Sequence, residues 1–310
     1  MFSASLLNPQ SPQTVAISAL FTNVLVVALI VFLTVAGLVV YNIVRYRAKP
    51  GAREPQQRFG SKPLEVLWRV VPLLIVAVLF VPTVRTMAAV DAPRQPDQAP
   101  DLIVTGHQWW WEAHYSNGAA TAGEIHIPAG RRLLVQIDSA DVIHDFWVPQ
   151  LARKMDAVPG LSGYIWLQAN TPGIYQGSCA EFCGAQHAWM RFVVVAEPEA
   201  DFSAWMNRQS EPAQAPAEGA AADGARLFQT KQCGDCHAIL GTAAVGRNGP
   251  DLTHVASRKS LGPGIDTNDP ATLARWIGDP QSAKPGNHMP DSHLTSPEAQ
   301  AVLAYLETLK

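Results

Sequence analysis

The first charged residue in this chain is Arg45. Before it, residues 15–44 are almost all apolar, a run longer than the ~20 residues a helix needs to span a bilayer. The segment lacks a basic N-terminal region, so a simple cleaved signal peptide fits poorly. A second apolar run, VVPLLIVAVLFVPTV, lies between Arg69 and Arg85. At ~1.5 Å per residue it covers about 22 Å, short of a ~30 Å hydrocarbon core. Leu64, Val66, Leu67 and Trp68 lengthen it on one side. An Arg at mid-membrane costs ~2.5–3.5 kcal/mol on insertion scales. Arg69 and Arg85 are therefore expected near the two ends, snorkelling outward. A buried core helix is the alternative for this run.

The loop between the two runs holds Arg45, Arg47, Lys49, Arg53, Arg58 and Lys62 against one acid, Glu54. Positive loops stay in the cytoplasm. The chain then starts as a hairpin with both ends outside, and everything after about Asp91 faces the periplasm or the cell exterior. Charged residues make up 16% of the chain, against ~25% in an average soluble domain. The deficit sits in the membrane part, and charge density is ordinary after Asp91. The net charge of −3 argues against nucleic acid as a partner.

Pro93–Pro100 reads as a linker. Short β-rich runs follow at 102–105, 124–127, 132–137, 142–148, 163–167 and 190–195, separated by Gly and Pro. Many short strands with such turns indicate a β-sandwich. Residues 208–222 (RQSEPAQAPAEGAAA) have the composition of a flexible connector. The pattern after them is helical. Asp269-Pro270 starts one helix with Leu273, Trp276 and Ile277 on one face. Ser296-Pro297-Glu298 starts the last, with Ser296 as cap and Val302, Tyr305, Leu306 and Leu309 as its apolar stripe. The expected division is 1–92 membrane hairpin, 93–200 β domain, 201–222 linker and 223–310 helical domain.

Cys179-Ala-Glu181-Phe-Cys183-Gly-Ala-Gln-His187-Ala-Trp-Met190 packs two thiols, an imidazole and a thioether into twelve residues. Such soft ligands suit copper far better than calcium or magnesium. One Cys with two His and a weak Met is the blue-copper set. Two Cys allow both sulfurs to bridge two copper ions, a binuclear copper centre. Another imidazole is needed, and His144, in an apolar and aromatic strand before the loop, is the candidate. His107, His114 and His126 in the same domain are read as non-ligands. The alternatives are a Cys179–Cys183 disulfide and a thiol-based copper chaperone site. Neither gives His187 and Met190 a role.

Cys233-Gly-Asp-Cys236-His237 fits the c-type haem attachment pattern. Two thiols add to the haem vinyl groups and the adjacent His becomes an axial iron ligand. A thioredoxin-like Cys-x-x-Cys would need a βαβ context, and the surroundings here are helical. Met289 is the only Met after the motif, and thioether ligation raises haem potential. His254, His288 and His293 are its rivals as second ligand.

The copper loop, the strand around His144 and the aromatic run Gly106-His-Gln-Trp-Trp-Trp111 resemble subunit II of cytochrome c oxidase, in the haem–copper oxidase family. The likeness extends over residues 15–200. From about Ala222 to Lys310 the chain resembles a class I cytochrome c, with Arg226, Leu227 and Phe228 on the opening helix, Tyr305 packing across from the closing one, and Gly249-Pro250-Asp-Leu252 bracing the axial His237. These resemblances imply a two-helix transmembrane hairpin, a cupredoxin-like β-sandwich and an all-α class I cytochrome c domain. They imply copper ligands at His144, Cys179, Cys183, His187 and Met190 plus the main-chain carbonyl of Glu181, whose side chain matches a magnesium ligand at the subunit I interface. Trp109 matches the electron-entry tryptophan. Glu65 matches an acid at the mouth of a proton path, and an ordinary first-turn acid reads equally well. The family often has Tyr at Trp110 and Ser at Asp145. Quinol-oxidizing relatives lack the cysteines, so their presence here implies cytochrome c rather than quinol as electron source, and the implied partner is cytochrome c or another external electron donor. The implied partners are subunit I and other oxidase subunits, in a bacterial inner (plasma) membrane. An electron-transfer module of a nitrous-oxide-type reductase and a copper-delivery protein are the competing readings. Nothing in the sequence forms a general acid–base pair or a nucleophile–base motif, so O₂ chemistry is expected in subunit I.

Overall fold

The structure is a computed structural model describing residues 7–47, 49–51, 56–57, 59–91, 94, 97–262 and 266–310. Arg53, Glu54 and Arg58 of the basic loop, and Pro93, Gln95 and Pro96 of the first linker, lie outside the described residues.

Two long helices come first, α1 (Pro12–Arg45) and α2 (Lys62–Val90). At ~1.5 Å per residue they reach about 51 and 44 Å, more than a hydrocarbon core of ~30 Å. Their large side chains, Phe32, Leu33, Leu73 and Phe80 among them, are exposed rather than packed, so the second run is not a buried core helix. Thr22, Thr34, Asn42 and Thr83 each donate to the carbonyl four residues back, at 2.9, 2.8, 2.7 and 2.8 Å. Lipid offers polar groups no partner, so such internal pairing is what a spanning helix needs.

The β part runs β1 (Leu102–His107), β2 (Trp110–Tyr115), β3 (Ala120–Ala122), β4 (Glu124–Pro128), β5 (Leu133–Ser139), β6 (His144–Trp147), β7 (Met155–Ala157), β8 (Gly163–Leu167), β9 (Gly173–Cys179) and β10 (Arg191–Glu197). One sheet has the order β3-β2-β1-β5-β8 and the other β4-β10-β9-β6-β7. Pairing is antiparallel except β1 with β5 and β4 with β10. Alternate residues such as Leu102 and Val104, or Val135 and Ile137, are buried on the inner faces, as period-two strands require. At one end of this core Trp111, Phe146 and Phe192 form an aromatic cluster, with centroids 5.5, 5.7 and 4.8 Å apart. Phe192 pairs across the sheet with Gly177, where an added Cβ would stand 2.2 Å from its ring. The glycine lets the ring lie flat on the β9 backbone. The start of the chain adds to this body: Ser11 Oγ donates to Leu151 O at 2.6 Å and Thr14 Oγ1 to Gln150 O at 2.8 Å.

The expected linker 201–222 is partly helix. α3 (Glu199–Gln209) buries Phe202 and Trp205 in the β-domain core. Its signal is local: two aromatic residues three apart, with Glu199 and Asp201 in the first turn.

The C-terminal part contains α4 (Gly219–Thr230), a two-stranded ribbon of β11 (Ser260–Leu261) and β12 (Asp266–Thr267), α5 (Pro270–Gly278), α6 (Pro280–Ala283) and α7 (Ser296–Leu306). α4 crosses α7 at Gly224, where a Cβ would lie 1.9 Å from Ala301 O. Phe228 meets Tyr305 edge-on at 5.8 Å. Asp269 caps α5 by accepting from Thr272 N at 2.8 Å. The cap of α7 is Thr295 rather than Ser296: Glu298 Oε2 accepts from Thr295 N and Oγ1 at 2.8 and 2.9 Å. The reciprocal spacing of a capping box places the acid three residues after the cap, which selects Thr295.

Candidate metal and haem sites

Cys179 ends β9 and pairs with Phe146 of β6, while its amide donates to Met190 O at 2.9 Å. The loop 180–190 is closed by this bond and by a short 3-10 turn at His187–Trp189. Closure brings the soft donors together. The two sulfurs stand 3.8 Å apart and both cysteines are free. Cys179 Sγ is 4.0 Å from His144 Nδ1 and 3.2 Å from Glu181 O. Cys183 Sγ is 3.6 Å from His187 Nδ1 and 3.7 Å from Met190 Sδ. Cys179, Cys183, His144 and Met190 are buried. Glu181 is exposed on the loop surface.

Charge explains why this pocket suits a cation. Burial, and then the neighbouring Cys179, push the Cys183 thiol up to about 12. Two thiolates are costly there until positive charge arrives between them. Burial also lowers the pKa of His144, keeping its imidazole neutral, although the bond to Asp141 pulls the other way. Nε2 lies 2.8 Å from Asp141 Oδ1, so the proton sits on Nε2 and Nδ1 is left bare toward the sulfurs. A carboxylate that fixes the tautomer of a ligating His is the usual outer support of a metal site. Gly106 makes room for this ring: an added Cβ would lie 2.8 Å from His144 Cδ2. The donor set therefore fits copper.

Trp109, Trp110 and Trp111 are three different residues in practice. Trp111 is core. Trp110 stacks on His107 at 4.1 Å. Trp109 donates through Nε1 to Cys183 O at 2.9 Å, and Gln108 Nε2 donates to the same carbonyl at 2.8 Å. The other domain histidines also have acidic partners: His107 and His114 flank Glu112 Oε2 at 3.4 and 3.1 Å, and His126 bridges Glu124 and Glu197 through both ring nitrogens. Asp141 and Gln108 escaped the sequence reading; Asp141, three residues before His144, carried the one available signal.

In the C-terminal part, Cys233 opens a single 3-10 turn and His237 N donates to Cys233 O at 3.0 Å. Burial lowers the pKa of His237. Its Nδ1 lies 2.7 Å from Pro250 O, so Nδ1 carries the proton and Nε2 is the free donor, as an axial ligand requires. Gly249 permits the bracing loop to pass over the ring, since a Cβ would lie 2.7 Å from His237 Cε1. These residues fit a c-type haem. Met289 lies between α6 and α7, half-buried, with its amide donating to Asn287 Oδ1 at 2.7 Å. Of its rivals, His254 has both ring nitrogens engaged by carbonyls, Lys310 O at 2.7 Å and Glu211 O at 3.1 Å. His293 is exposed beside Asp291. His288 stacks against Trp109 at 4.7 Å.

Three family models match in chain order: cytochrome c oxidase subunit II, transmembrane domain, at 3–86; its periplasmic domain at 119–197; and cytochrome c at 221–310. A cytochrome c oxidase subunit 2 from Alkalihalophilus pseudofirmus is 36% identical over 311 residues, covering 98% of this chain and 90% of that one. The chain belongs to the cytochrome c oxidase subunit II family. Another member, from Bacillus sp. strain PS3, is 33% identical over 83% of this chain and 77% of its own. The solved periplasmic domain of cytochrome oxidase subunit II from Bradyrhizobium japonicum is 28% identical, with a TM-score of 0.35 over 37% of this chain and 95% of that domain. This subunit II is a membrane protein with a copper-binding β-sandwich and a haem-binding cytochrome c domain, and it serves electron transfer in a haem–copper oxidase.

Proposed function

We propose that this subunit takes electrons from an external donor, cytochrome c or another, into its cytochrome c domain. They pass next to its β domain and finally to subunit I, which reduces O₂ and pumps protons. The proposed holders of a binuclear copper centre are His144, Cys179, the Glu181 carbonyl, Cys183, His187 and Met190. Cys233 and Cys236 would carry a covalent haem c, with His237 and Met289 axial. Bound there, the two groups supply one-electron carriers. The Glu181 carboxylate is assigned to Mg at the subunit I interface. The proposed division is hairpin, β domain including α3, connector and cytochrome c domain. The basic loop argues for a bacterial inner membrane orientation with both soluble domains outside.

One observation carries this reading: two buried thiols 3.8 Å apart with an imidazole, a thioether and a carbonyl closing on them. Around it the chain's own residues act as supports. Asp141 holds His144 in one tautomer, and Pro250 does the same for His237. Trp109 and Gln108 fix the Cys183 carbonyl, which joins the Trp109 ring to a ligand cysteine through one hydrogen bond. The test is the spectrum of the loaded full chain. Copper EPR with one unpaired electron shared by two nuclei, plus near-infrared absorption, is expected. A single-copper spectrum refutes the binuclear assignment. Met289→Ala should abolish a sulfur-to-iron band in the red, and an unchanged band moves the ligand elsewhere.

A further inference from the structure

Lys284 is 3% exposed, although lysine is almost never fully buried without a partner. Its Nζ donates to one group, the main-chain carbonyl of Trp109, at 2.7 Å. Burial lowers its pKa from 10.5 to about 8, the mark of an ammonium held in a poor solvent. This bond crosses from the cytochrome c domain to the β domain. The residues that follow stay on the same surface. Gly286 faces Gln186, with 3.4 Å between an added Cβ and Gln186 Nε2. The His288 ring stands 4.7 Å from the Trp109 indole, and Met289 comes next. Trp109 is only 8% exposed beneath this segment. A second anchor lies elsewhere on the interface, where Glu124 Oε2 accepts from Lys259 N at 2.9 Å and Ser260 N at 3.2 Å. Two anchors remove the pivoting that either alone would leave.

Granting the electron route proposed above, we propose that Lys284 is a positioning residue for transfer between the two domains: its ammonium, bonded to the Trp109 carbonyl, seats the Met289 segment on the Trp109 indole, so that Trp109 serves this chain's own haem domain. One electron crosses per event. The cytochrome c domain is oxidised by one electron and the β domain is reduced by one, with no bond or proton exchanged. A separate donor protein finds Trp109 covered and must deliver its electron to the cytochrome c domain.

The test compares the full oxidase complex with Lys284→Met, which keeps the stem and loses the donor, and Lys284→Arg, which keeps a donor. Hydroxyl-radical footprinting reads the oxidation of Trp109 residue by residue. Trp111 is the buried control, and Trp189, 45% exposed, is the open one. Flash reduction of the haem then reads transfer to copper. In Lys284→Met, Trp109 oxidation should rise toward that of Trp189 while Trp111 stays protected. Internal transfer should slow about tenfold, the scale set by losing one charge-assisted hydrogen bond, with haem and copper spectra unchanged. Lys284→Arg should recover part of both. Unchanged Trp109 protection in Lys284→Met overturns the positioning role. Absence of haem-to-copper transfer in the unaltered complex overturns the functional reading instead, and the footprint still decides the clamp.

Discussion

Glu124→Ala should loosen the seam between the β domain and the cytochrome c domain. Glu124 is 1% exposed. Its Oε1 lies 3.1 Å from His126 Nε2. Oε2 takes the amides of Lys259 and Ser260 and, at 3.3 Å, Ser260 Oγ. His126 is held on its other nitrogen by Glu197 at 2.9 Å and stacks on Trp205 at 4.0 Å. Charge-assisted bonds are worth ~1.5–3 kcal/mol each, and an orphaned buried donor costs ~1–3. Such terms do not add, and removal of one partner from a buried ion pair costs ~3–5 kcal/mol in total. The loss should fall on local opening of the seam, which hydrogen exchange at the Lys259 and Ser260 amides measures directly. Since 1.4 kcal/mol is a factor of ten, exchange should accelerate about a hundredfold to a few thousandfold. The pH profile gives a second check. Burial raises Glu124, but the bonds and charge of His126 outweigh it and the net shift is down. Glu197 is lowered chiefly by its bond to His126. Burial lowers His126, and the two carboxylates outweigh it, so its net shift is up. Lowered acids contribute above their ordinary value of 4.5 and lose that contribution as pH falls through their folded values. A raised His contributes fully below 6.5 and loses it as pH rises through its folded value. Protection at Lys259 and Ser260, corrected for intrinsic rates, should therefore peak between pH 4.5 and 6.5. In Glu124→Ala much of that peak should vanish. Exchange in the variant within threefold of the unaltered chain would refute the assignment of Glu124 as an anchor.

Two other changes probe the remaining sites. Gly224→Ala puts a methyl 1.9 Å from Ala301 O, so α4 and α7 must part. A loss of ~1–3 kcal/mol or more is expected in thermal unfolding of the cytochrome c domain, and an unshifted melt would show that the crossing is slack. Asp141→Asn keeps the size of the residue that holds His144 Nε2 but removes its charge. Copper affinity should fall ~10–100-fold by chelator competition, and an unchanged affinity would show that His144 needs no outer support.

What could be read in advance depended on how far apart the participating residues lie. The thiols, His187 and Met190 fit within twelve residues, so their chemistry was legible as a string. His144 was reachable because a strand of apolar and aromatic residues gave it a buried setting. The strands β2 and β9 were missed for opposite reasons. Trp110–Tyr115 buries Trp111, Ala113 and Tyr115 in alternation with Glu112 and His114, but the run of three Trp at its start, with Trp110 buried as well, hides that period, while Gly173–Cys179 carries two glycines, one of them compensated by Phe192 from across the sheet. α3 was legible in principle, from Phe202 and Trp205 after an acidic first turn, but the Ala- and Pro-rich residues behind it masked that signal.

The seam between the domains had no such signal. Glu124 reaches Ser260 across 136 positions and Lys284 reaches Trp109 across 175. No window of periodicity contains both partners. Taken alone, a Glu at the head of a strand and a Lys at the end of a short helix are ordinary solvated residues. Burial is what separates them from the other charges of the chain, and burial follows from docking two domains, each with its own core. The groups proposed to hold metal are set, His144 apart, by local chain closure and tolerate little displacement. The groups that hold the domains together are few, charged and polar, so a single substitution at either anchor can change the docking while leaving both cores intact. The geometry between domains is thus separable by mutation from the integrity of each site, and Glu124 and Lys284 are where the separation can be made.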